Sequence, residues 1–121
     1  MPGLNIAVLV DDAERLRGAL TLALAHVALG GSARLFLQLD AVRMLQSPIR
    51  APRDADHVSH GLPSLADLIG EALETGIEII ACQSGLALAG LALSDLDPRI
   101  VAGGPVSFLQ ASGAGDRLLI L

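Results

Sequence analysis

The sequence predicts an α/β protein, a three-layer α/β/α sandwich built on a mostly parallel five-stranded sheet. Three observations carry this. Short, nearly continuous apolar runs alternate with stretches of helical periodicity, as expected of strands covered on both faces. Most of the runs end in capping or turn residues. The 121 residues fit one domain, 1–121, with room for a single core.

The elements follow in order. Residues 4–10 (LNIAVLV) form the first strand, ended by Asp11 and Asp12, with Asp11 and Glu14 as a capping pair for the next helix. From Ala13 to Leu29, the residues Leu16, Ala19, Leu20, Ala23, Leu24 and Val27 recur at helical spacing, and Gly30-Gly31 supply a left-handed stop. The other face of this helix carries Leu22, Ala25 and Leu29, which predicts contact with a neighbouring subunit. His26, amid alanines and leucines, reads as a packed or interface histidine. Residues 33–39 (ARLFLQL) make the second strand, and Asp40 caps a short helix to Leu45 before Pro48.

Ser47 to His60 mixes prolines, arginines, aspartates and histidines without periodicity and reads as a long loop, a lid or a disordered segment. Ser64 with Asp67 then opens a helix whose stripe of Leu65, Leu68, Ile69, Ala72 and Leu73 runs to Gly76. Residues 77–81 (IEIIA) are the third strand, after which Cys82-Gln83-Ser84-Gly85 turns the chain into an apolar helix over 86–93. Residues 98–103 (PRIVAG) and 117–121 (RLLIL) supply two more strands, with a brief helix over 105–111 between them.

Composition narrows the function. Apolar residues make up 52% of the chain but only two are aromatic, both Phe, so the core is aliphatic. That much apolar surface on so small a body points to a homo-oligomer. The net charge is −5 and the eight basic residues are all Arg, scattered without a run, which argues against nucleic acid and anionic membrane as partners. No apolar stretch is long enough to span a bilayer, and Asp11 and Asp12 come too early for a signal peptide. The expected location is the cytoplasm, where a lone thiol stays reduced.

Cys82 is the candidate for chemistry. It has no partner for an internal disulfide, and it lies at the carboxyl edge of the sheet, where parallel α/β proteins gather ligands. Backbone N–H groups at a helix start favour a thiolate, and the thiolate is the nucleophile. The alternative is a small buried hydrophobe. The long loop shares that edge, which brings His57 and His60 within possible reach as proton-handling partners, or leaves them solvated. These histidines with Asp54 and Asp56 fall short of a zinc-ligand pattern, so no metal is expected. No phosphate loop, dinucleotide fingerprint, Gly-x-Ser-x-Gly elbow or Cys-x-x-Cys occurs, and no cofactor is expected.

The order and spacing of these features resemble the DsrE/DsrF family over nearly the whole chain. The matching parts are the first strand and its Ala-rich helix, LFLQLDAV with Asp40 in the turn, LADLIGEALETGIEIIACQSGLALAGL around the cysteine, and the tail DPRIVAGGPVSFLQASGAGDRLLIL. The resemblance implies a flavodoxin-resembling sandwich and assembly into trimers or hexamers. It also implies a carrier role in which Cys82 accepts sulfur as a persulfide from a donor protein and hands it to an acceptor, with Gln83, Ser84 and Gly85 around the sulfur. Leu88 and Ala89 depart from the sulfur-carrying members, which often have basic residues there. Two other readings compete: an oligomeric ligand- or partner-binding module with Cys82 incidental, and a redox sensor passing through a sulfenic acid.

Overall fold

A computed structural model describes residues 1–121. The strands are β1 (Leu4–Val8), β2 (Ala33–Leu37), β3 (Glu78–Cys82), β4 (Val101–Gly103) and β5 (Arg117–Ile120). They form one sheet in the order β4-β3-β2-β1-β5, and every neighbouring pair is parallel. The helices are α1 (Ala13–Ala28), α2 (Asp54–Ser59), α3 (Leu65–Glu74), α4 (Gln83–Ala89) and α5 (Pro105–Gln110), with 3-10 turns at Leu39–Leu45 and Leu93–Asp95.

Strand order dictates the layers. From β1 to β4 each strand is laid down on the same side of the last, so right-handed crossovers put their connecting helices on one face. The return from β4 to β5 runs the other way and puts α5 on the opposite face. Strand alternation then sorts the side chains. Ile6, Val8, Leu35, Leu37, Ile79 and Ala81 alternate onto the α1/α3 side and are at most 1% exposed. They join one cluster with Leu16, Leu20 and Ala23 of α1 and Leu65, Ile69 and Ala72 of α3.

The α5 side is built differently. Phe108 stacks on Phe36 with ring centroids 5.0 Å apart, and the Arg34 guanidinium lies 4.7 Å from the Phe108 ring, so both phenylalanines serve this one junction. Asn5, buried inside an apolar strand, is fully engaged there. It accepts from Arg34 Nε at 2.9 Å and donates to Ser112 Oγ at 3.2 Å and Asp116 Oδ2 at 3.3 Å. Because α5 has only six residues, the remainder of this face stays thinly covered, with Val101, Leu118 and Ile120 all exposed.

Several local expectations are corrected. Asp12, not Asp11, caps α1, its side chain accepting from the Glu14 and Arg15 N–H groups. Asp40 does not cap the turn after β2. Gln38 occupies the cap position without a side-chain bond, because Leu39 takes a left-handed φ of 51° and starts the turn one residue early. The fourth helix begins at Gln83 rather than Leu86 and closes at Gly90, whose φ is 69°. The fourth strand is only Val101–Gly103.

The segment 47–60 is not a continuous loop, since Asp54–Ser59 form α2. That helix buries no residue, which is why it leaves no apolar period in the sequence. Polar pins hold it instead. Asp54 accepts from the Ala51 and Leu65 N–H groups at 2.9 and 3.0 Å and pairs with Arg17 of α1. No helix of the chain is long and apolar enough to cross a membrane.

Candidate functional site

Cys82 is the last residue of β3 and the cap of α4. Its φ of −62° and ψ of 122° keep the backbone extended while the next residues turn helical. Its Sγ accepts from the Gly85 N–H at 3.4 Å, the bond an N-cap side chain makes to one of the unpaired amides of a first helical turn. The residue is 3% exposed. Gly85 and Leu86 behind it are buried, whereas Gln83 and Ser84 face outward.

Two neighbours shape this corner. Across the ladder, Cys82 pairs with Gly103 of β4, where a side chain would press on Ile80 Cγ2. A Cβ on Gly85 would run into the carbonyl oxygen of Leu39, so only glycine lets α4 dock on the turn that follows β2. The carboxyl ends of β2, β3 and β4 thereby converge around the thiol, joined by backbone rather than by charged side chains.

The other sequence-derived candidates lie elsewhere or stay peripheral. Asp40 belongs to the turn that carries Leu39, but its side chain is well exposed and pairs only with Arg43 at 3.9 Å. His57 is bonded through Nε2 to both carboxylate oxygens of Glu14, at 3.0 and 3.1 Å. His60 is largely solvated, its Nδ1 lying 2.8 Å from the Asp56 carbonyl. Neither histidine is hydrogen-bonded to Cys82. No group of three or more His, Cys, Asp and Glu side chains is arranged to hold a metal ion.

The histidine side of the molecule holds a cluster that sequence reasoning missed. Arg17, 4% exposed, donates to the Pro63 carbonyl at 3.1 Å, pairs with Asp54, and lies 3.4 Å from Glu14. Burial alone would push the Asp54 carboxyl up. The Leu65 and Ala51 N–H groups together with Arg17 outweigh that and hold it below the usual carboxylate range. A shallow cleft of about 300 Å³ opens beside Arg17, lined also by Thr21, His57, Leu62 and Leu68. One signal was available: Arg17 sits three and seven residues before Leu20 and Leu24, on the packed stripe of its helix.

A parallel sheet layered by helices, with a lone thiol capping the helix after an inner strand, defines a compact α/β protein of the thiol-bearing kind. The model of the DsrE/DsrF-like family matches residues 5–121, and the chain belongs to that family. Among solved structures it is similar to the protein of unknown function MTH1491 from Methanobacterium thermoautotrophicum, with a TM-score of 0.70 at 15% identity. It is also similar to the ychN protein from E. coli, with a TM-score of 0.77 at 17% identity; each alignment covers 100% of both chains. At these identities the likeness extends to the fold. A search of curated proteins found no match.

Proposed function

We propose that this protein is a sulfur carrier in which Cys82 takes up sulfane sulfur as a persulfide and passes it to a partner protein. The carrying observation is the chain's one thiol at the end of β3, accepting a backbone N–H from the first turn of α4, in a member of the DsrE/DsrF-like family. In uptake from thiosulfate, the Cys82 thiolate attacks the outer sulfur. The S–S bond of the donor breaks, sulfite leaves with the electron pair, and the new Cys82 persulfide keeps one negative charge. In delivery, an acceptor thiolate attacks the terminal sulfur and Cys82 leaves as thiolate. Helix-start N–H groups suit such an anion because they are donors without internal partners. A reducing cytoplasm, donor and acceptor proteins as partners, and a trimeric or hexameric homo-oligomer complete the reading.

Mass spectrometry after exposure to thiosulfate, polysulfide or cysteine persulfide is the test. The expected product is one added sulfur on Cys82, lost on reduction and absent from Cys82→Ser. No adduct from any of the three donors overturns the proposal. The near-complete burial of Cys82 favours a second reading, an oligomeric module that binds a ligand or partner while the thiol is inert. The pH dependence of alkylation separates them: a carrier reacts with iodoacetamide near neutral pH in the folded state, and the module only on unfolding.

A further inference from the structure

Arg17 Nε is the one buried side-chain nitrogen or oxygen of the chain without a hydrogen-bond partner. The other two nitrogens of its guanidinium are engaged, Nη1 donating to the Pro63 carbonyl at 3.1 Å and Nη2 to Asp54. Glu14 Oε1 lies 3.4 Å from Nε but out of line with its N–H, and both Glu14 oxygens are turned to His57 Nε2. A buried donor left unmet is costly, and nearly all such groups find an acceptor. This one lies beside open space.

The cleft of about 300 Å³ that Arg17 lines is at the lower end of the range small ligands occupy. One stripe of α1, made of Glu14, Arg17, Gly18 and Thr21 at helical spacing, forms a wall of it, and Leu62 and Leu68 give it an apolar side. Gly18 keeps the space open: it is exposed in mid-helix, and a Cβ there would meet no atom within 4 Å. Thr21 Oγ donates to the Gly18 carbonyl at 3.0 Å, which leaves its lone pairs to accept. The Glu14 side chain, 41% exposed, stands against Nε, and a turn toward Arg53 Nη1, 3.9 Å away, uncovers the N–H while keeping an ion pair.

We infer that this cleft binds a small uncharged carboxamide. The carbonyl oxygen of the ligand accepts from Arg17 Nε, its two N–H groups face Glu14 and Thr21 Oγ, and its apolar body lies against Leu62 and Leu68. The hydrogen-bond pattern sets the class, because the cleft offers one unmet donor among acceptors. A carboxylate ligand has acceptors only. It would also enter a cluster in which Arg17 and Arg53 already answer three carboxylates, Glu14, Asp54 and Asp56. An ammonium or amidinium has donors only and would leave Nε unmet beside a second positive charge. A carboxamide carries acceptor and donors on one carbon and adds no charge. The site shares no residue with the Cys82 corner, so amide binding and persulfide uptake hold or fail independently.

Benzamide is the probe, with benzoate and benzamidine as its anionic and cationic counterparts of nearly the same shape. In proton–nitrogen correlation spectra of the full chain, benzamide moves the Arg17 Nε–H signal, identified by its absence from Arg17→Lys, and saturates with a dissociation constant of about 1 mM. Benzoate and benzamidine bind at least about tenfold more weakly. Gly18→Leu fills the space and abolishes the shift; leucine is the better helix former, so this variant folds. Thr21→Val keeps the shape, loses an acceptor and weakens binding about threefold or more. An Arg17 signal unmoved at about ten times the expected dissociation constant overturns the inference. So does equal or tighter binding of either charged counterpart, and so does undiminished binding by Gly18→Leu.

Discussion

At the residue scale, glycine and arginine set the limits of the two clusters. Gly85 sits where a Cβ meets the Leu39 carbonyl, a backbone atom that cannot rotate aside. Gly85→Ala is therefore expected to cost about 1–3 kcal/mol, the usual penalty of forced overpacking, and to lift α4 from the turn it rests on. Denaturant unfolding measures the first effect, and faster Cys82 alkylation in the folded state reports the second. Arg17 is the opposite case, a buried charge whose value lies in its partners. Arg17→Leu leaves Asp54 without its ion pair and the Pro63 carbonyl without its donor, and should destabilise by about 3 kcal/mol. An unchanged unfolding midpoint would show that the pair contributes nothing.

At the scale of elements, α2 shows what a helix is when polar contacts alone hold it. None of its residues is buried, so its stability comes from Asp54 at its start, from His57 against Glu14, and from Arg53 spanning Asp56 and Glu14. Asp54→Ala removes the acceptor for two backbone N–H groups and the partner of Arg17. Hydrogen exchange should then speed at least about tenfold in α2 and at the Leu65 amide, with β1 to β3 unchanged. The 47–60 segment was opaque in the sequence for the same reason, because periodicity reports burial and nothing here is buried. By contrast α1 and α3 were legible almost to the residue, since each lays a wide apolar stripe on the sheet.

At the scale of the whole molecule, acid stability follows from carboxylates held below their ordinary range, Asp97, Asp116 and Asp54 among them. Arg99 brings Asp97 down to about 2, chiefly through its side-chain hydrogen bond. The Gly113 and Gly3 N–H groups lower Asp116, and the N–H groups of Leu65 and Ala51 with Arg17 lower Asp54 against the cost of burial. A carboxylate whose folded pKa lies below its unfolded one adds stability that is complete above the unfolded value and is lost as pH falls through the folded one. Stability should thus fall from about pH 4 down to about 2 as these groups protonate. Asp116→Asn and Asp97→Asn should each flatten that part of the curve in urea unfolding at stepped pH. A slope unchanged in both variants would show that other groups carry it.

What the sequence by itself determined was the alternation of strands and helices, the layered class of fold, and the position of Cys82 at a strand-to-helix turn. These follow from local physics: apolar period, capping residues and glycine stops act within a few residues of each other. Tertiary structure decided the rest. Only the strand order β4-β3-β2-β1-β5 makes β5 a bare edge and pairs Cys82 with Gly103. Only helix packing buries Arg17 against Asp54 and carries His57 to Glu14. Each of these joins residues far apart in the chain, and their meeting depends on the direction of each crossover, which no local spacing encodes.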